Sequence, residues 1–272
     1  MELAFDVIIT DLDGTLLNKD KKISKRNQQV LLRLQAMGVK VIIASGRPRP
    51  ELDGRQELLE LEKYDGLVLS YNGARVVQVR DQKVVYNHSI PIDRAKEVVQ
   101  LTRQFPVSTV IAHNQFSYVS DISVEKSKEE ASVSDQVVIH EPYLEKILDF
   151  EPSKLLVTGK HDDLVELSLV LKKRFEHLDI MFSDKIFLEI MEIGVSKGST
   201  LLSLCSDFGW DIQRVIAFGD NENDIDLLKT AGHGVAMKNA FDKVKSVAEE
   251  ITLSNDEDGG AVCLEKHFGF SN

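Results

Sequence analysis

The feature that most constrains this chain is a rhythm in its first seventy residues, where short apolar runs alternate with segments of helical spacing. Phe5-Asp6-Val7-Ile8-Ile9-Thr10, Val39-Lys40-Val41-Ile42-Ile43-Ala44 and Gly66-Leu67-Val68-Leu69-Ser70 have the length and apolar content of strands buried on both faces. Between the first two, Ser24 can cap a helix that runs to Met37, with Val30, Leu31, Leu34 and Met37 on one face and Gly38 as its stop. Between the second and third, residues 48–62 read as another helix, with Pro48 or Pro50 in its first turn. A β-α-β-α-β order predicts an α/β fold with a doubly wound parallel sheet.

The rhythm returns near residue 196. Residues 196–208 and 224–230 read as helices, 214–218 and 234–237 as strands, and 242–247 and 259–267 as the last helices, with Ile251-Thr252-Leu253 between them. The middle has another texture. Asn72-Gly73 reads as a hairpin turn and Asp81-Gln82 as a second turn leading into 83–86. Residues 92–105 and 162–175 have helical spacing, whereas 107–112, 116–120, 154–158, 179–183 and 187–192 read as strands, and 125–134 is polar without a clear period. The expected organisation is a discontinuous α/β core, 1–82 and 189–272, with an α+β unit, 83–188, inserted into it.

Composition narrows the partners. A formal charge of −11 over 272 residues, with no Lys/Arg-rich block, is poorly suited to coating a phosphate backbone, so nucleic acid is not an expected partner. No apolar run approaches the roughly 18–20 residues needed to cross a bilayer. Glu2 and Asp6 stand where a secretory signal carries positive charge, and Asp11 interrupts the apolar stretch. Cys205 and Cys263 lie outside any CxxC motif and do not make a disulfide scaffold. The expectation is a cytoplasmic protein that acts on a small molecule, with no membrane partner.

The candidate chemistry sits at predicted strand ends. Asp11 and Asp13, in Asp11-Leu12-Asp13-Gly14-Thr15, project to the same side of a strand end. Such a pair is weak alone, since about seven acidic-x-acidic pairs arise by chance at this acidic content, and taken alone it is better read as a strand ending in an Asp-Gly turn. Its place at the carboxyl end of a strand, where open α/β sheets bind ligands, raises its weight. The second strand ends in Ser45-Gly46-Arg47, a hydroxyl and a glycine backbone that can cradle an oxyanion or simply cap a helix. A later strand ends in Gly219-Asp220-Asn221-Glu222-Asn223-Asp224. Asn223 or Asp224 taken singly reads as a helix cap. Three acidic strand ends on one sheet, however, repel one another unless a cation holds them, and oxygen donors without a Cys/His cluster point to Mg2+ rather than Zn2+. Lys197 opens a predicted helix, where a positive charge opposes the helix dipole unless an anion is held nearby.

Together these four segments resemble the four motifs of the haloacid dehalogenase superfamily, and of its Cof-type phosphatases with a type-IIB cap in particular. Asp11-Leu12-Asp13-Gly14-Thr15-Leu16-Leu17 matches the first motif, Ser45-Gly46-Arg47 the second with Ser for the more usual Thr, Ser196-Lys197-Gly198 the third, and Gly219 to Asp224 the GDxxND form of the fourth. Tyr71-Asn72-Gly73-Ala74, Val235-Ala236-Met237-Lys238-Asn239-Ala240 and Asn255-Asp256-Glu257-Asp258-Gly259 also resemble family segments, although Lys238 stands where Gly is common and Gly260 where an apolar residue is usual.

The resemblance implies a phosphatase for small phosphorylated metabolites such as sugar phosphates or phosphorylated cofactors. It makes Asp11 the nucleophile that forms an aspartyl-phosphate and Asp13 the general acid and base. It implies Mg2+ held by the Asp11 carboxylate, the Asp13 carbonyl and Asp220. Lys197, Ser45, Asn223 and the N–H groups of Leu12 and Gly46 are then phosphate ligands, with Asp224 and Arg47 in support, and the insert becomes a cap that carries substrate contacts. A phosphomutase shares these motifs, and a non-catalytic binder of phosphorylated ligands is the reading from another class.

Overall fold

The computed structural model describes residues 3–47, 55–124, 126–131 and 136–270. In chain order the first segment forms β1 (Val7–Asp11), α1 (Lys25–Ala36), β2 (Lys40–Ala44), α2 (Arg55–Leu58), β3 (Leu67–Ser70), β4 (Arg75–Gln78) and β5 (Val84–Asn87). There follow α3 (Ile92–Thr102), β6 (Val107–His113), β7 (Phe116–Val119), α4 (Ser127–Ala131), β8 (Val137–His140), β9 (Leu155–Gly159), α5 (His161–Arg174), β10 (Leu178–Asp184) and β11 (Phe187–Glu192). The last segment forms α6 (Lys197–Phe208), β12 (Val215–Gly219), α7 (Ile225–Thr230), β13 (His233–Ala236), α8 (Asp242–Lys245), β14 (Glu250–Ile251) and α9 (Gly259–Phe268). The chain divides into two compact units, one of Met1–Arg47, Leu52–Tyr86 and Ser196–Asn272, the other containing Asn87–Val195.

The first unit carries a sheet in the order β14-β13-β12-β1-β2-β3-β4-β5. From β14 to β3 every neighbouring pair is parallel, and β4 turns back antiparallel on β3. Alternation along each strand divides the core into two layers. Ile8, Val41 and Ile43 face Leu31 and Leu34 of α1 and Ala261 and Leu264 of α9, while Val7, Ile9 and Ile42 face Leu201 and Leu204 of α6 and Leu227 and Leu228 of α7. Helices on both faces explain why these strands read as unbroken apolar runs. Ser24 caps α1 by accepting the Asn27 N–H at 3.1 Å.

The register fixes the functional edge. Asp11 stands opposite Ala44 of β2, Thr10 opposite Phe218 of β12, and Gly219 opposite Ala236 of β13. Asp11, Ser45 and Asp220 therefore leave the carboxyl ends of three adjacent strands at one level.

The second unit is a separate sheet in the order β10-β11-β9-β6-β7-β8, antiparallel except for the β7–β8 pair. Leu164, Leu167 and Leu171 of α5 and Ala95, Val98 and Val99 of α3 pack with Leu155, Val157, Leu188 and Ile190 of the sheet.

Two expectations change. The helix expected over 48–62 falls partly outside the described residues, and its remainder is only the single turn of α2. Glu60 adopts a left-handed φ of 48°, which ends the helix and turns Leu59 and Leu61 inward, both fully buried. Strand β8 was not foreseen. The sequence boundary at 188/189 falls inside β11, which pairs with β9 and β10. No helix among the described residues is long and apolar enough to cross a membrane.

Candidate active site

Strand β1 delivers Asp11 to the carboxyl edge of the sheet, and the chain then wraps tightly, with Leu17 N–H donating to Leu12 O at 2.9 Å. Gly14 permits this turn at φ +80°, and a Cβ there would lie 2.4 Å from Asp220 Oδ2. Asp11 is 7% exposed. Its Oδ1 accepts from Lys197 Nζ at 2.5 Å across 186 residues of sequence.

Lys197 is the first residue of α6, behind Ser196, which forms a reciprocal cap with Ser199. Side chains in a helix tilt toward its N-terminus, so the lysine points back to the strand ends instead of outward. It has no exposed surface. Its Nζ also donates to Asp224 Oδ1 at 2.6 Å. Asp224 is fully buried as well, and its other oxygen accepts from the N–H groups of Asp220, at 3.0 Å, and Asn221, at 3.1 Å. Asp224 makes no side-chain cap of α7; one of its oxygens instead closes the loop after β12 and the other holds the lysine.

Asp220 faces the same space. Thr15 Oγ1 donates to its Oδ1 at 2.6 Å. Oxygens of Asp11, Asp220 and Asp224 lie within 4.8 Å of one another. Burial pushes the Asp11 carboxyl far above the usual carboxylate range, Lys197 opposes this, and Asp224 and Asp220 add to it. Burial also pushes Asp220 up to about 6, against the Thr15 hydrogen bond. Desolvation works against the charge on Lys197, yet Asp11 and Asp224 more than offset it and hold the ammonium above its ordinary value. The cluster thus concentrates more negative charge than its buried cation balances.

Asp13 is placed differently. It is partly exposed and gripped by two cations: Arg47 donates from Nη2 to Oδ1 at 2.8 Å, Arg47 Nε lies 2.7 Å from Oδ2, and Lys21 Nζ donates to Oδ1 at 2.8 Å. Ser45 is 3% exposed and its Oγ accepts the Arg47 N–H at 3.1 Å, so the hydroxyl shapes the turn after β2. Gly46 runs close to Asn72, and a Cβ there would stand 2.8 Å from Asn72 Oδ1 and push that side chain aside. Asn223 Nδ2 donates to that same Asn72 Oδ1 at 2.9 Å. The buried Leu12 lies between the two aspartates, 1% exposed, leaving its backbone as the polar contribution.

Four residues join this edge that sequence reasoning gave no role. Thr15, Asn72 and Asn239 all lie in the quoted family-like segments, and Asn239 Nδ2 donates to Gly14 O at 2.7 Å. Lys21 had no such signal.

Comparison with known proteins agrees with this geometry. Residues 8–264 match the haloacid dehalogenase-like hydrolase family. The chain is similar to the 5-amino-6-(5-phospho-D-ribitylamino)uracil phosphatase of Bacillus subtilis, 30% identical over 277 residues that cover 98% of this chain and 99% of the relative. It is 29% identical to the HMP-PP phosphatase of Serratia proteamaculans over 244 residues, 89% of this chain and 87% of the relative. Its fold superposes on a haloacid dehalogenase-like hydrolase from Bacteroides thetaiotaomicron with a TM-score of 0.90 at 30% identity, covering 97% of this chain and 100% of the other. The strand-end carboxylates, the buried lysine and the similarity along nearly the whole chain lead to one assignment: this chain belongs to the haloacid dehalogenase-like hydrolases.

Proposed function

We propose that this chain is a Mg2+-dependent phosphatase for small phosphate monoesters, working through an aspartyl-phosphate on Asp11. The observation that carries the reading is the buried Lys197 ammonium, shared between Asp11 and Asp224 beside Asp220. The relatives named as phosphatases of a phosphoribityl compound and of HMP-PP support a small phosphorylated metabolite as the substrate.

The donor set suits Mg2+. The clustered groups offer oxygen only, and their burial penalises the uncompensated charge. Both Asp224 oxygens are engaged, one by Lys197 and one by backbone, which leaves the Asp11 and Asp220 carboxylates and the Asp13 carbonyl to hold the ion. Bound there, Mg2+ would neutralise phosphate charge as the two anions approach.

Lys197 occupies Asp11 Oδ1 and leaves Oδ2 to attack phosphorus, so a P–O bond forms on Asp11 as the ester oxygen leaves with a proton from Asp13. Water then attacks the aspartyl-phosphate, giving its proton to Asp13 and freeing the Asp11 carboxylate and inorganic phosphate. Lys197, the Ser45 hydroxyl, Asn223 and the N–H groups of Leu12 and Gly46 hold phosphate oxygens. For Asp13 to exchange protons, its ion pairs with Arg47 and Lys21 must open when substrate binds. The unit of Met1–Arg47, Leu52–Tyr86 and Ser196–Asn272 is the catalytic core in this reading, and Asn87–Val195 is the cap that selects the ester.

A panel of phosphate monoesters tests the proposal, with sugar phosphates, phosphorylated cofactors and p-nitrophenyl phosphate assayed with Mg2+ and with EDTA. Phosphate release that EDTA abolishes and Mg2+ restores is expected. Full activity in EDTA, or conversion of a sugar phosphate to its isomer without phosphate release, would refute it.

A further inference from the structure

At the opposite end of the same sheet, three side chains from three elements converge. His233 opens β13, Glu250 opens β14 and His267 lies in the last turn of α9. His233 Nε2 stands 3.0 Å from Glu250 Oε2 and His267 Nε2 stands 2.7 Å from the same oxygen. Each of the three side chains is 19–23% exposed, and the Phe5 ring lies against both imidazoles, with centroids 5.6 and 5.5 Å away.

The His233 ring is held from behind, because its Nδ1 lies 3.0 Å from Glu249 Oε2. Carboxylates can only accept, and both nitrogens of this ring face one, so a neutral ring that donates from Nδ1 to Glu249 turns the Nε2 lone pair toward the Glu250 oxygen. Two lone pairs facing each other need something positive between them, either a second proton or a metal ion. A carboxylate that fixes one imidazole nitrogen while the other faces a cation is the arrangement that orients metal-bound histidines. Lys266 Nζ donates to the other Glu250 oxygen, Oε1, at 2.8 Å, which leaves Oε2 as the convergent donor.

We propose that His233, His267 and Glu250 bind one dication of the Zn2+ class, with Glu249 orienting His233 and water in the fourth position. Two nitrogens and one carboxylate oxygen are Zn2+ donors and poor Mg2+ donors. Tetrahedral bonds of about 2.0–2.1 Å separate ligand atoms by roughly 3.3 Å. The observed 2.7 and 3.0 Å approaches need to open by only a few tenths of an ångström. The ion would fasten α9 and the two-residue strand β14 to β13, a structural site independent of the phosphatase reading.

The test uses full-length protein stripped with EDTA and then saturated with Mg2+. One equivalent of Zn2+ should bind and raise the Tm, because a ligand that binds only the folded chain stabilises it. Co2+ in its place should give the intense visible bands of a tetrahedral ion. His267→Gln should abolish both signals, Glu249→Gln should weaken binding by about 10- to 100-fold, and Asp220→Asn should leave binding unchanged. Absence of Zn2+ uptake, or uptake that survives His267→Gln, overturns the proposal. If that variant does not fold, the wild-type Co2+ spectrum decides alone: faint octahedral bands overturn the site. Histidine resonances that titrate freely with pH and ignore Zn2+ would make this an ion-pair cluster and overturn it as well.

Discussion

Lys197 and Asp224 form an ion pair from which water is excluded on both sides: Nζ lies 2.6 Å from Oδ1 and neither side chain has exposed surface. A buried charge without its partner is costly, on the order of 3–5 kcal/mol, because its desolvation is no longer offset. Asp224→Asn should therefore destabilise the fold by about 3 kcal/mol or more in denaturant unfolding. It should also release Lys197 and lower kcat/KM. A stability loss below about 1 kcal/mol would show that the lysine finds compensation from Asp11 alone.

Lys197→Ala removes the buried cation proposed at the phosphate. Electrostatic contacts in a water-excluded site contribute several kcal/mol, so kcat/KM should fall on the order of 10²-fold or more. Lys197→Arg should rescue poorly, because a planar fork cannot replace a compact ammonium between two carboxylates in a space with no exposed surface. Steady-state kinetics with Mg2+ in excess check this. Near wild-type activity in Lys197→Ala would leave the residue as a buried structural cation only.

Asp220 sets activity against stability. Its folded value is raised from 3.8 to about 6 by burial, so between those values the folded chain keeps a proton that the unfolded chain has lost. Stability of the metal-free protein should thus fall as pH rises through that window, and above it the penalty is complete. Asp220→Asn keeps an oxygen for Thr15 and removes the charge. In EDTA at neutral pH it should be more stable than wild type by about 1–2 kcal/mol, after discounting for partial exposure. With Mg2+ the order should reverse if the ion binds where proposed, because only wild type keeps the Asp220 carboxylate to hold it. Thermal melts with and without Mg2+ measure the crossing.

The legible part of the site was the part written in strand ends. Asp11, Ser45 and Asp220 each follow an apolar run, and parallel pairing of β1 with β2 and β12 turns that shared position into a shared place. What sequence withheld was burial and direction. A lysine in a first helical turn reads as solvated, and only its direction back toward the strand ends makes Lys197 the largest fully buried side chain among the described residues. Lys21 is one of three lysines among residues 19–22. Its left-handed backbone, φ 57°, accompanies its reach to Asp13, and nothing in the local pattern distinguishes it. Strand β8 lies at a sheet edge with half-exposed residues, so it has neither a continuous apolar run nor a buried face to announce it. The His233–Glu250–His267 cluster joins positions at three element ends that share no motif.

The two aspartates of the first strand end look equivalent in sequence, but their surroundings differ. Asp11 is buried against Lys197, whereas Asp13 is partly exposed and tied to Arg47 and Lys21. Asp11→Asn should lose all phosphoryl transfer, because an amide replaces the oxygen proposed to attack phosphorus. Asp13→Asn should keep the metal contact proposed for its backbone carbonyl and lose proton transfer. A sugar phosphate leaves as a basic alkoxide that needs a proton, so its first step should be slow. p-Nitrophenyl phosphate leaves as a stabilised phenolate and needs that proton less, yet hydrolysis of the aspartyl-phosphate still needs a base whichever ester was used. Asp13→Asn given p-nitrophenyl phosphate should therefore release a burst of nitrophenolate and then stall with phosphate on Asp11. Rapid quench followed by mass spectrometry of the peptide around Asp11 reads this directly. A burst from Asp11→Asn, or a phosphopeptide that maps elsewhere, would mean that the nucleophile is another residue.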